Sequence, residues 1–255
     1  MSDAELSAGD AGADRASLVL VSTPIGNLDD ISARALDILR HADAIACEDT
    51  RVTAKLLDHH VIKDKRLIAT HDHNEAQSAA GLVKLIKDGC RIALVSDAGM
   101  PGISDPGYRV VQAVLDAGFE VSAVPGPNAA LMALTISGLP TDRFVFLGFP
   151  PRKSGKRQKL FETYADLPAS LILYESAQRL GETLDDAIAA LGDRKAALGL
   201  ELTKSFERMY REPLSALKAR VETPPRGEAV LIIEGAAESR THTNKYAAFS
   251  KAPER

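Results

Sequence analysis

Five times between residues 18 and 128 a short apolar run gives way to a polar or Gly- and Pro-rich loop, and then to a segment with apolar residues at helical spacing. The runs are 18–21, 44–47, 66–69, 92–95 and 120–124, and the loops are 22–30, 48–51, 70–75, 96–107 and 125–128. Short apolar runs of this length read as buried strands, and strands alternating with helices close into a mainly parallel sheet covered on both faces. That repeat is the strongest constraint on the fold. In such a sheet all five loops leave from the carboxyl edge, where ligands bind in open α/β folds.

The longest loop, 96–107, carries three glycines, two prolines, two serines and two aspartates. The glycine fingerprint of dinucleotide-binding folds and the phosphate-cradling P-loop are both absent. Rigid, sterically open backbone at Pro101-Gly102 and Pro125-Gly126-Pro127 instead suits close approach to a neutral or zwitterionic nucleoside. Asp97 and Asp105 have two readings, as caps of turns or as partners of a ligand's amine and ribose. Glu48, Asp49 and Arg51 form either a local salt-bridge network or a substrate-facing set, with Arg51 on phosphate and a carboxylate deprotonating a hydroxyl. His71 and His73 flank Asp72, but no third ligand at convincing spacing appears, so no metal is expected. With Asn74 they read as hydrogen-bonding or proton-transfer groups.

After a hinge-like Ser137-Gly138-Leu139-Pro140, further strands are expected at 144–149, 170–174, 196–202 and 229–233, with an added antiparallel strand at 206–211 and helices at 180–191 and 214–219. The stretch 151–160 holds Arg152, Lys153, Lys156, Arg157 and Lys159 and no acidic residue, a solvated loop or a patch for phosphate backbone. The expected organisation is a disordered tail 1–17, an N-terminal α/β domain 18–138, a mixed α/β domain 142–235 and a polar tail 236–255. Two cysteines read as buried thiols, and a net charge of −4 does not advertise a general nucleic-acid binder. No apolar stretch approaches membrane length, and the start resembles no signal peptide, so a cytoplasmic protein without membrane contact is expected.

Taken together, Ser22-Thr23-Pro24-Ile25-Gly26-Asn27-Leu28, Glu48-Asp49-Thr50-Arg51, His71-Asp72-His73-Asn74-Glu75, the whole stretch 96–107, Pro125-Gly126-Pro127, Tyr174-Glu175-Ser176 and Glu201-Leu202-Thr203-Lys204 resemble the ribosomal RNA small subunit methyltransferase I family, within the tetrapyrrole methylase superfamily. The resemblance implies a two-domain tetrapyrrole-methylase-like fold with S-adenosyl-L-methionine in the interdomain cleft, a homodimer, and 2′-O-methylation of a decoding-centre cytidine in 16S rRNA. It places the cofactor against Pro24, Gly26 and Asn27, against Ser96, Asp97, Ala98, Gly99 and Pro101, and against Pro125, Gly126 and Pro127. Position alone puts Glu48, Asp49, Arg51, His71, His73 and Asn74 on the catalytic, RNA-facing side, and makes the 152–159 run an RNA contact. Met100 and Gln178 stand where the family commonly has Thr and His, and the family often continues into a small helical domain where this chain has its polar tail. The rival readings are a tetrapyrrole-precursor C-methyltransferase of the same fold and a non-enzymatic RNA-binding module.

Overall fold

The computed structural model describes residues 16–71, 74–223, 225 and 227–237. The expected tails therefore lie almost wholly outside the described residues, as does His73. Strands β1 (Leu18–Val21), β2 (Ala44–Cys47), β3 (Arg66–Ala69), β4 (Ile92–Leu94) and β5 (Val121–Val124) form one sheet in the order β3-β2-β4-β1-β5. Every pairing in it is parallel, with Leu18 opposite both Ile92 and Val121.

Helices α1 (Ala33–His41), α2 (Thr50–His59), α3 (Glu75–Lys87) and α4 (Tyr108–Asp116) cover its two faces. Ile38 and Leu39 of α1 and Leu57 of α2 pack with Val19, Ile45 and Ala93 on one side. Leu82 and Ile86 of α3 and Val110 and Val114 of α4 pack with Leu18, Ala46 and Leu94 on the other. Ser32, whose hydroxyl accepts from the Ala35 amide at 3.1 Å, caps α1.

The second sheet contains β6 (Phe144–Gly148), β7 (Ser170–Ser176), β8 (Lys195–Leu200), β9 (Arg208–Pro213) and β10 (Glu228–Ile233), in the order β6-β7-β10-β8-β9. Only β6 and β7 run parallel. The expected strand at 206–211 is the antiparallel edge strand β9, displaced two residues along the chain and ending on Pro213, which needs no ladder donor there. Helices α6 (Ser154–Thr163), α7 (Leu180–Leu191) and α8 (Leu214–Arg220) cover one face through Phe161, Leu184 and Leu217.

The other face is covered by α5 (Ala129–Ser137), which the sequence reading assigned to the first domain. Its Ala130, Ala133 and Leu134 pack against Ile172, Ala197, Val230 and Ile232 of the second sheet. The change of partner falls at the loop 125–128, ahead of α5, and not at 137–140. There Gly138 (φ 77°) only ends the helix in the left-handed conformation that suits glycine. Cys47 is a buried free thiol, whereas Cys90, also expected buried, is a half-buried one; among the described residues no helix is long and apolar enough to cross a membrane.

Candidate active site

Strands β1 and β4 are neighbours, yet the chain leaves β1 towards β2 and leaves β4 towards β5, on opposite sides. Such a switch point opens a crevice at the carboxyl edge. Two bonds stitch its floor: the Thr23 amide donates to Gly99 O at 2.9 Å, and the Gly99 amide donates to Thr23 O at 3.0 Å. Thr23 Oγ1 donates to Ser96 O at 3.0 Å, and Ser22 Oγ donates to Pro127 O at 2.6 Å, so three of the five loops are tied together. A support that sequence reasoning missed is Glu75. Its nearly buried carboxylate accepts from the Gly107 and Arg109 amides, both at 2.9 Å, and fixes the far end of the 96–107 loop at the start of α4. An acidic side chain there also complements the helix N-terminus.

Opposite this wall stand the carboxyl end of β7, the 201–204 loop and the start of β10. Between the two domains lies a cleft of about 300 Å³, within the usual range for small-molecule sites. Ile25, Met100, Ile103, Phe149, Leu202 and Val230 give it apolar surface, while Glu48, Asp97, Asp105, Glu201 and Glu228 face it as carboxylates. Lys204, the cation on this lining, is 3.1 Å from Glu201 and 3.8 Å from Glu228, so its charge is already matched. Glu175 is also compensated, through Arg179 at 3.2 Å and the Thr183 hydroxyl at 2.7 Å. Tyr174 is pinned by the Ala130 amide, which donates to its hydroxyl at 3.2 Å.

Of the residues singled out from sequence, Glu48, Asp97, Ala98, Gly99, Met100 and Asp105 line this cleft. Asp97 also accepts from the Asp49 amide at 3.0 Å, joining the β2 and β4 loops. Asp49 itself caps α2 and grips Arg51 (Oδ2 to Nη2, 2.5 Å), and the Arg51 guanidinium holds its carboxyl down at about 2. Asn74 makes a local turn, accepting from the His71 amide at 2.8 Å and donating to Ala69 O at 3.1 Å. Pro24, Pro101, Pro125 and Pro127 are not among the residues lining the cleft.

Gly26 and Gly126 are close-contact positions: a Cβ on Gly26 would sit 2.5 Å from Thr203 Oγ1, and one on Gly126 2.9 Å from Ser22 Cβ. Arg157 departs from the expected surface patch. It is 1% exposed, donates to Asp186 at 2.6 Å and holds the second domain together from inside. Arg152, Lys153, Lys156 and Lys159 remain exposed.

Residues 17–218 match the family described as Tetrapyrrole (Corrin/Porphyrin) Methylases. A ribosomal RNA small subunit methyltransferase I from Mesorhizobium japonicum is 49% identical over 88% of this chain and 76% of its own length. The protein of that name from Halalkalibacterium halodurans is 46% identical over 88% of this chain and 78% of its own. The chain belongs to this methyltransferase family. The fold alone is shared more widely. The crystal structure of the methyltransferase CobJ superposes with a TM-score of 0.66 at 18% identity, covering 88% of this chain and 95% of that one. Diphthine synthase superposes at 0.63 with 15% identity, covering 86% and 90%.

The side chains of this family member fit S-adenosylmethionine by their charge. That molecule carries a sulfonium and an ammonium against one carboxylate, so it is a net cation with a flat apolar base. A cleft with a carboxylate excess and apolar walls favours such a ligand and disfavours a polyphosphate. Asp97 and the open backbone of 98–100 would hold its polar parts, and Ile25, Ile103 and Leu202 its apolar surface.

Proposed function

We propose that this chain is the S-adenosylmethionine-dependent enzyme that methylates the 2′-hydroxyl of a decoding-centre cytidine in 16S rRNA, in the cytoplasm and as a homodimer. The observation that carries the reading is the division of charge. The cofactor-sized cleft is acidic, while the basic residues Arg152, Lys153, Lys156 and Lys159 begin three residues after Phe149, a residue of the cleft wall. RNA phosphates are repelled from the cleft and retained at its rim, so that a ribose rather than a backbone oxygen faces the interior.

When bound, the cofactor supplies a methyl group already activated on sulfur, and the chain's task is alignment of the acceptor oxygen and removal of its proton. The 2′-hydroxyl is also the group that marks the strand as RNA. Glu48 at the end of β2 faces the cleft and orients the incoming ribose. Arg51, His71 and Asn74, on neighbouring loops of the same edge, face the RNA. Asp49 acts there as the anchor of Arg51.

The direct test is transfer of labelled methyl to assembled small subunits and to naked 16S rRNA, followed by alkaline hydrolysis. A 2′-O-methyl blocks cleavage at its own linkage, so the expected product is one alkali-resistant dinucleotide containing the label. Label on a porphyrinoid and none on either RNA form would establish the C-methyltransferase reading instead. Absence of cofactor binding by calorimetry would leave only a binding module.

The rim makes a separate prediction. Replacing Lys153 and Lys156 with Ala should weaken small-subunit RNA binding and reduce the slope of log affinity against log salt by about 1 per charge removed. Cofactor affinity should stay unchanged. A filter-binding series from low to high salt measures the slope, and an unaltered slope would remove these lysines from the interface.

A further inference from the structure

Asp105 faces the cleft, and among the described residues its bond is from Ser96, with no cation gripping it as Arg51 grips Asp49. It lies in a rigid loop. Ser104 before it adopts a left-handed backbone (φ 63°), Gly102 N donates to Pro106 O at 3.2 Å, and Glu75 holds Gly107 from behind. A non-glycine residue in that conformation is strained, and such strain is retained where the structure needs a side chain aimed in one direction.

The charged groups that act on Asp105 come from three elements, Glu48 at the end of β2, Asp97 on its own loop and Glu228 at the start of β10, and the Tyr174 phenol of β7 faces it as a further titratable group. Lys204, from the 201–204 loop, is held by Glu201. Burial, then Glu48, push the Asp105 carboxyl up to about 7, against a bond from Ser96 that lowers it. A general base works best when its pKa lies near the working pH.

We propose that Asp105 is the catalytic residue that accepts the proton of the ribose hydroxyl, a role that rests on the RNA 2′-O-methylation reading above. As the hydroxyl oxygen forms its bond to the methyl carbon, the C–S bonding pair remains with sulfur, the O–H bond breaks and the proton passes to an Oδ of Asp105. One positive charge is lost at sulfur and one proton is gained beside it, so the net charge of the cleft is conserved through the reaction. Asp49, held at about 2 by Arg51, is a far weaker proton acceptor.

Asp105→Asn keeps the shape and removes the base. Single-turnover methyl transfer should fall by about 10²-fold or more. The rise of the wild-type rate with pH, at or below pH 7, should vanish, and calorimetric cofactor affinity should stay within about threefold, under 1 kcal/mol. A readout independent of turnover is the thermal midpoint of the unliganded protein. Because the folded state binds this proton more tightly than the unfolded chain, wild type loses stability as pH rises from the usual carboxylate range to 7. Asp105→Asn does not, so its advantage in midpoint should be larger at pH 8 than at pH 5.

Cofactor affinity falling as far as the rate, or a pH limb that survives in Asp105→Asn, would overturn the assignment while leaving the methyltransferase reading intact. A wild-type enzyme that labels no RNA ribose would overturn that reading and this role with it.

Discussion

Arg157→Ala is expected to destabilise the protein by about 3–5 kcal/mol, the usual cost of stranding one member of a buried ion pair. The guanidinium is 1% exposed and its Nε donates to Asp186 Oδ2 at 2.6 Å. Its Nη1 reaches the carbonyls of Pro151 and Arg152 at 3.4 Å, and its Nη2 reaches Glu182 at 3.4 Å. Truncation leaves the Asp186 carboxylate in the interior with only the Ser154 hydroxyl and the Gln158 amide, each at 2.7 Å. Burial pushes the Asp186 carboxyl up, and its bonds to Ser154, Gln158 and Arg157 outweigh that and hold it below the usual range. Its contribution is therefore present above that range and lost as pH falls through the folded value. The gap between wild type and Arg157→Ala should accordingly narrow in acid. Urea or thermal unfolding at pH 7 and in the acid range measures both effects. A midpoint near that of wild type at neutral pH would mean that Arg157 does not carry the packing of α6 on α7.

Arg157 also shows what local sequence cannot say. It sits among Arg152, Lys153, Lys156 and Lys159, and nothing in composition separates the buried member from the exposed ones. The separation comes from Asp186, 29 residues away on a helix that packs across α6. The parallel sheet was legible because its central strands β1, β2 and β4 are apolar on both faces and every strand is followed by its own turn residues. Helix α5 was misassigned to the first domain because its sequence, AALMALTIS, is apolar all round, so periodicity named no buried side.

The loop 96–107 and Glu48 were found through polarity at strand ends. Asp105 and Asp49 look alike in that light, and only burial beside Glu48 against pairing with Arg51 tells them apart. Glu75 was hidden for the opposite reason: it opens a helix, where an acidic residue is ordinary, and its carboxylate serves a helix further along the chain.

Gly26→Ala should lower cofactor affinity by about tenfold or more, 1.4 kcal/mol, with a smaller effect on the unfolding midpoint. Gly26 has no positive φ to relieve, so the effect is one of space alone. The added Cβ would lie 2.5 Å from Thr203 Oγ1, 2.6 Å from Lys204 Cγ and 2.8 Å from Leu202 O. The two side chains can swing aside, but the Leu202 carbonyl is backbone and can yield only if the 201–204 loop moves away from the β1 loop.

That movement breaks the bond from the Asn27 amide to Thr203 Oγ1 at 3.1 Å and displaces Leu202 and Lys204, both of which line the cleft. Leu202 belongs to the core between α5 and the second sheet, but it is its carbonyl and not its buried side chain that must give way, which is why stability should suffer less than binding. Thr203→Ala removes the nearest obstacle but not the carbonyl. In the double variant it should restore affinity only in part, and the coupling between the two changes is the measure of how closely the loops approach. Calorimetric titration of the four proteins supplies the cycle. Full cofactor affinity in Gly26→Ala would mean that the loaded enzyme holds these loops apart, and that the cleft closes by some contact other than the one between Gly26 and Thr203.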